Sequence, residues 1–173
     1  SNDVGFFEVE DLESGYDYTV VPSKNDEHDL GVSTIDLVFI RRHILNEELL
    51  DSPYKIIAAD ANNNQNVTTA DVVEIKRLIL TTITEYTNNT SWRFVDKYFE
   101  FPNPLNPWET DIPEFHSYNN LEAPVYAADF VGIKVGDVNN SGVINLTSDS
   151  GDERSGETLA LVTDDRKVRA GET

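Results

Sequence analysis

Two stretches of this chain place apolar residues at helical spacing. In residues 31–45, GVSTIDLVFIRRHIL, Leu37, Ile40 and Ile44 fall at i, i+3 and i+7. In residues 66–80, NVTTADVVEIKRLIL, Val72, Ile75 and Ile79 do the same. This is the period of one buried helix face. Val38 with Leu45, and Val73 with Leu80, read as widening each stripe. The two stretches are copies of one another: Val32/Val67, Thr34/Thr69, Asp36/Asp71, Val38/Val73, Ile40/Ile75, Arg42/Arg77, Ile44/Ile79 and Leu45/Leu80 are identical pairs at a constant offset. Helices this short are not stable alone in water, so the pattern predicts that they pack on each other. Ser33/Thr34 and Thr68/Thr69 supply oxygens for capping their N-termini.

Elsewhere the pattern changes. Phe7 and Val9, then Tyr16, Tyr18 and Val20, alternate on either side of Glu13-Ser14-Gly15, which predicts a β-hairpin within 4–21. Residues 46–58 read as a helix end and a linker through Ser52-Pro53. Residues 86–128 are rich in aromatics and carry Pro102, Pro104, Pro107, Pro113 and Pro124, which forbid long helices. An irregular segment covering the helix pair is expected there. Residues 147–158 read as a polar linker, and 159–173 as the first strand of a following β domain. The expected organisation is a β-hairpin ending a preceding domain at 1–22, a module at 23–146 with its aromatic insert at 86–128, the linker, and the final strand. The fold class is a mixed α+β fragment.

The chain of 173 residues has 32 acidic against 13 basic side chains, a net charge of -19. Nucleic acid and anionic membranes require Lys/Arg patches, so neither is expected as a partner, whereas cations are. There is no cysteine, which excludes disulfides and thiolate sites. No apolar run reaches the roughly 18 residues of a membrane span. The start at Ser-Asn-Asp and the lack of Met read as a piece excised from a longer protein. His28, His43 and His116 are scattered and suggest no nucleophile–base pair, so no enzyme is expected; His28 reads as a solvated loop residue.

The chemistry lies just ahead of each helix. A hard cation such as calcium takes six to eight oxygens at about 2.4 Å, presented by an EF-hand type loop from positions 1, 3, 5, 7, 9 and 12. With Asp71 as the twelfth position, the others are Asp60, Asn62, Asn64, Asn66 through its carbonyl, and Thr68. Val67 then points inward. Position 6 is Gln65, where glycine is usual, so Asn64 or Gln65 must accept a positive φ. The alternative is an Asn-rich turn capping a helix. With Asp36 as the twelfth position, the first copy offers Asn25, Glu27, Asp29, the carbonyl of Gly31, and Ser33, with Asp26 able to replace Asn25 or Glu27. Its glycine falls one place late.

A third fragment, GDVNNSGVINL at 136–146, places Asp137, Asn139 and Ser141 at positions 1, 3 and 5 and Gly142 at position 6, with Asn145 and Ser148 at 9 and 12. No amphipathic helix follows. Three readings stay open: a third site, a set of ligands lent to one of the other two, or a plain Asp-Asn turn.

The stretch DANNNQNVTTADVVEIKRLIL resembles the repeat of type I dockerins. Asp60, Asn62, Asn64, Thr68 and Asp71 stand at the ligand places, and Lys76-Arg77 at the basic pair; Arg41-Arg42 hold that pair in the first copy. The resemblance covers roughly 23–81. It implies two calcium ions, with the 136–146 fragment a possible third contribution, and docking to a cohesin-like domain through pseudo-twofold helices. The family's contact places hold Thr34-Ile35 and Thr69-Ala70, with Phe39, His43, Glu74 and Leu78 along the helices. Phe39, Arg42, His43 and Arg77 are the candidate partner-binding residues. The long insert resembles dockerin-like regions of large bacterial surface proteins, which implies a secreted or cell-surface setting. GFFEVEDLESGYDYTVVPSK resembles the last strands of a carboxypeptidase-regulatory or Cna-B-like sandwich, and LALVTDDRKVRAGET the first strand of a cohesin-like one. The expected function is therefore a calcium-stabilised structural or interaction module of a multidomain protein. The alternative is a recognition module docking a cohesin-like partner.

Overall fold

The computed structural model describes residues 6–126 and 128–142, and the backbone of two strands at 160–163 and 167–169. Helix α1 (Thr34–Ile44) and helix α3 (Thr69–Ile79) occupy the two periodic stretches. They begin alike. Ser33 and Thr68 are extended, and the aspartate three residues on, Asp36 or Asp71, accepts both the backbone N–H and the hydroxyl of that cap residue. This returns a partner to donors that the first turn of a helix leaves free.

They also end alike. Asn46 N–H donates to His43 and Glu47 N–H to Arg42, while Thr81 N–H donates to Leu78 and Thr82 N–H to Arg77. Asn46 and Thr81 sit at φ 56° and 53°. A left-handed residue closes a Schellman motif in both places, without the usual glycine.

Ile40 and Ile75, equivalent in the two copies, are fully buried, and α1 packs against α3. Leu37, Ile44, Val72 and Ile79 lie against the same core. The expected widening of the stripe does not occur: Val38, Leu45, Val73 and Leu80 are exposed. At 3.6 residues per turn, Val38 and Leu45 lie about 140–160° around the helix from Ile40, so they cannot share its face. Leu78 turns inward instead.

Between the copies, the expected linker is helix α2 (Pro53–Ala59), with Ile56, Ile57, Ala58 and Ala59 all buried. Proline is well tolerated at a helix start, where its missing N–H would have no partner. That turns Ser52-Pro53 from a break into a beginning.

The insert divides its labour. Strand β2 (Trp92–Asp96) pairs antiparallel with β4 (Phe130–Lys134), Phe94 opposite Gly132. A 3-10 turn, Pro107–Glu109, lies between them in sequence. Phe99, Phe101, Trp108 and Ile112 pack on the helical core, and the Phe101 ring meets those of Tyr54 and Phe99 edge-on. Tyr98, Phe115 and Tyr126 remain exposed.

The hairpin expected within 4–21 is not formed among the described residues. Only β1 (Tyr18–Val21) is a strand there. It pairs with β3 (His116–Tyr118) on one side and β5 (Ala160–Thr163) on the other, and β5 carries β6 (Lys167–Arg169). Gly15, at φ 88°, marks the turn, and its N–H goes to Leu121 while Leu121 N–H returns to Tyr16. Of the alternating residues, Phe7 and Val9 do pack on Tyr18 and Val20, while Tyr16 is exposed; the hydrogen-bond partners come from remote segments. The expected linker at 147–158 lies outside the described residues.

Candidate metal centre

The loop between α2 and α3 is built around two carboxylates. Asp60 and Asp71 are both fully buried. One oxygen of Asp60 accepts the Asn64 N–H at 3.0 Å and the other the Gln65 N–H at 2.8 Å. One oxygen of Asp71 accepts the Asn62 N–H at 3.2 Å, and the other takes the N–H and hydroxyl of Thr68. The turn that allows this needs left-handed residues, and Asn63 and Gln65 supply them at φ 57° and 63°. Gln65 thus takes on the conformation usually left to glycine.

Three features point to a cation. The Asn62 side-chain oxygen is buried and has no hydrogen-bond partner, a costly arrangement unless something else meets it. Burial holds the Asp60 carboxyl above its usual pKa, and the charge of Asp71 pushes the same way. Arg93, whose charge acts on Asp60 in the opposite direction, is committed elsewhere: Nε donates to Glu114 at 2.7 Å and a terminal nitrogen to the Asn63 amide oxygen at 2.8 Å. Two buried carboxylates with no cationic side chain bound to them favour an external cation. The donors are all oxygens, as a hard cation prefers. Asn64 and Asn66 are exposed at the loop's outer side, and Val67 packs inward on the core. Asn89 braces the loop by donating to the Asp60 carbonyl at 2.9 Å.

The first copy is arranged differently. Asp36 is fully buried, but Asn25, Glu27 and Asp29 are exposed and are not gathered around it. The Asn25 oxygen accepts the Ser91 N–H at 2.8 Å, and Asp26 pairs with Lys24 at 2.8 Å. Glu27 holds φ 46° and Gly31 φ 73° in a tight turn. The neighbours of Asp36 are Val138 and Asn139, whose N–H groups reach its second oxygen at 3.0 and 3.3 Å. Asp137 is buried beside them and accepts the N–H groups of Ser141 and Gly142 at 3.1 and 2.7 Å. Asn145 and Ser148 lie outside the described residues.

His28 is buried, not solvated. Its Nδ1 accepts the Tyr86 N–H at 3.4 Å, and its carbonyl accepts the Lys134 ammonium at 2.7 Å. Desolvation lowers its pKa, helped by the charge of Lys134. Burial likewise pulls Lys134 down to about 8. Lys134 had no signal in the sequence, because its role depends on the end of β4 reaching the His28 carbonyl in the 28–31 turn. Among the described residues no three His, Cys, Asp or Glu side chains gather into a metal-holding group. Each constellation holds two carboxylates, and the remaining oxygens are amide, hydroxyl or carbonyl.

Of the candidate partner-binding residues, Phe39 packs against the core. The His43 ring accepts the Leu50 N–H at 3.1 Å. Arg42 pairs with Glu48 and Arg77 with Glu74. Phe39 and His43 therefore do not form a shared exposed face. No helix among the described residues is long and apolar enough to cross a membrane.

Two short helices on each other, each anchored by a buried aspartate at the end of an oxygen-rich turn, define a paired loop–helix module. Residues 27–86 match the family model described as the dockerin type I domain. The match spans a minority of the 173 residues. Dockerins are non-catalytic interaction modules that bind calcium and dock cohesin domains. No curated protein and no solved structure matches the chain.

Proposed function

We propose that this dockerin-like module is a calcium-stabilised structural or interaction element of a multidomain secreted or cell-surface bacterial protein. The observation that carries the reading is the buried, unpartnered oxygen of Asn62 in the loop whose ends are the buried carboxylates of Asp60 and Asp71. Asp60, Asn62, Asn64, Thr68, Asp71 and the Asn66 carbonyl would hold the ion. Its charge would offset the mutual repulsion of the two carboxylates. Because those groups also cap α3 and shape the turn, binding is coupled to folding. Affinities of about 10⁻⁴ to 10⁻³ M suffice for extracellular modules, in keeping with two carboxylates per loop. The test is a thermal melt with calcium and with EGTA; an unchanged Tm would sink the reading.

A second reading, docking of a cohesin-like partner, is favoured by one observation. The copies expose equivalent aliphatic pairs, Val38 with Val73 and Leu45 with Leu80, beside Arg42 and Arg77. A pull-down with cohesin-like domains, repeated with Val38→Asp and Val73→Asp, distinguishes the two: capture that both substitutions abolish favours docking.

A further inference from the structure

We propose that the calcium site of α1 is split between two remote pieces of chain. Asp137, Asn139 and Ser141 supply its first half, and the Gly31 carbonyl, Ser33 and Asp36 its second. This rests on the calcium reading above and changes which residues serve it.

The correspondence with the contiguous loop holds group by group. Asp60 accepts N–H groups four and five residues on, from Asn64 and Gln65; Asp137 accepts them from Ser141 and Gly142 at the same spacing. Asp71 accepts the N–H of Asn62, and Asp36 that of Asn139. Asp71 takes the N–H and hydroxyl of Thr68, and Asp36 those of Ser33. Asn63 and Asn140 stand at φ 57° and 55°. In the contiguous loop Gln65 is followed by Asn66. In the split one Gly142 is seated against Gly31, and the Ser141 hydroxyl donates to the Gly31 carbonyl at 3.0 Å.

The junction is a cradle that a side chain would fill. A Cβ on Gly31 would lie 2.5 Å from an oxygen of Asp137 and 2.5 Å from the backbone of Gly142. Two carboxylates are buried here, Asp36 fully and Asp137 with 3% exposed. The nearby ammonium of Lys134 bonds to the backbone carbonyls of His28 and Val135 and to neither carboxylate. The donor set is again oxygen throughout. Asn25, Glu27 and Asp29, which spacing alone puts at positions 1, 3 and 5, face solvent instead. The ion would act as a clasp, tying the end of β4 to the start of α1 and closing the module around its insert.

The experiment is calcium stoichiometry by titration calorimetry on the full chain, with helicity followed by circular dichroism. Wild type is expected to bind two ions, and Asp60→Ala one. Asn139→Ala, which keeps the backbone N–H that holds Asp36, is expected to bind one, and Asn139→Asp two. The triple variant Asn25→Ala, Glu27→Gln, Asp29→Asn is expected to keep two. Asp137→Ala should also drop to one; should it lose helicity even in calcium, the Asn139 pair still decides. A triple variant that binds one ion while Asn139→Ala binds two overturns the split site. So does a wild type that binds one ion, lost in Asp60→Ala, and that result leaves the calcium reading of the other loop standing. A wild type that binds none overturns that reading as well.

Discussion

The carboxylate of Asp36 accepts the backbone N–H of Val138 at 3.0 Å, across 102 residues of chain. Asn139, the next residue, donates to the same oxygen, and its counterpart at Asp71 is Asn62, only nine residues away. One repeat therefore closes its turn locally, while the other closes only when β2 and β4 have paired and delivered Asp137 to the start of α1. Equivalent sequences thus serve unequal distances.

Removing calcium should lower the melting temperature. A ligand bound to the native state at 100 times its Kd contributes about 2.7 kcal/mol, and for a chain of this size each kcal/mol moves Tm by roughly 2–4 °C. Each occupied site should therefore add roughly 5–11 °C to the difference between melts in calcium and in EGTA, and Asp71→Ala should show a smaller calcium response.

Asn62→Ala separates binding from folding. Its side-chain oxygen has no protein partner, so the Tm in EGTA should hardly move, while calcium affinity at this loop falls about tenfold, or ~1.4 kcal/mol. Titration calorimetry beside the melts checks both; an unaltered affinity would remove Asn62 from the ligand set.

Ile40 and Ile75 are both at 0% exposure. Truncating either to alanine should cost about 2–5 kcal/mol through lost burial and the cavity left behind. Urea unfolding of calcium-saturated protein measures this. If only one of the two is costly, the helices do not share the core as equals.

Thr81 holds a left-handed conformation at φ 53°, which a β-branched residue adopts at a cost. Asn46 fills the equivalent place in the first copy at φ 56°. Thr81→Asn is expected to stabilise by about 0.5–1 kcal/mol, seen as a higher urea midpoint with the same slope.

His43 ties stability to pH. Burial lowers its pKa below 6.5, and its Nδ1 must be unprotonated to accept the Leu50 N–H. Between the lowered folded value and 6.5 the unfolded chain binds more protons, so stability rises with pH there and is lost as pH falls through the folded pKa. His43→Ala should have a lower Tm at pH 7.5 and lose less of it on going to pH 5.5; equal pH slopes would remove His43 from this role.

What the sequence by itself determined is local. The two helices follow from the i, i+3, i+7 spacing of Ile40, Ile75 and their neighbours. The turn at 60–71, with Gln65 in the left-handed region, follows from residues twelve or fewer apart. The dockerin resemblance was legible for the same reason, since its signature lies within single loop–helix units. Only the tertiary structure decided what lies far along the chain. It made Ser52-Pro53 the start of a buried helix, enclosed His28 against Tyr86 and Lys134, and paired β1 with remote strands in place of a hairpin. It also gave Asp36 its neighbours. The repeat pointed to Asn25, Glu27 and Asp29 because spacing assumes a continuous loop, and the GDVNNSG fragment carried the matching signal with no address. Periodicity and ligand spacing record interactions within one element. A hydrogen bond spanning 102 residues exists only because the sheet of β2 and β4 brings its two ends together.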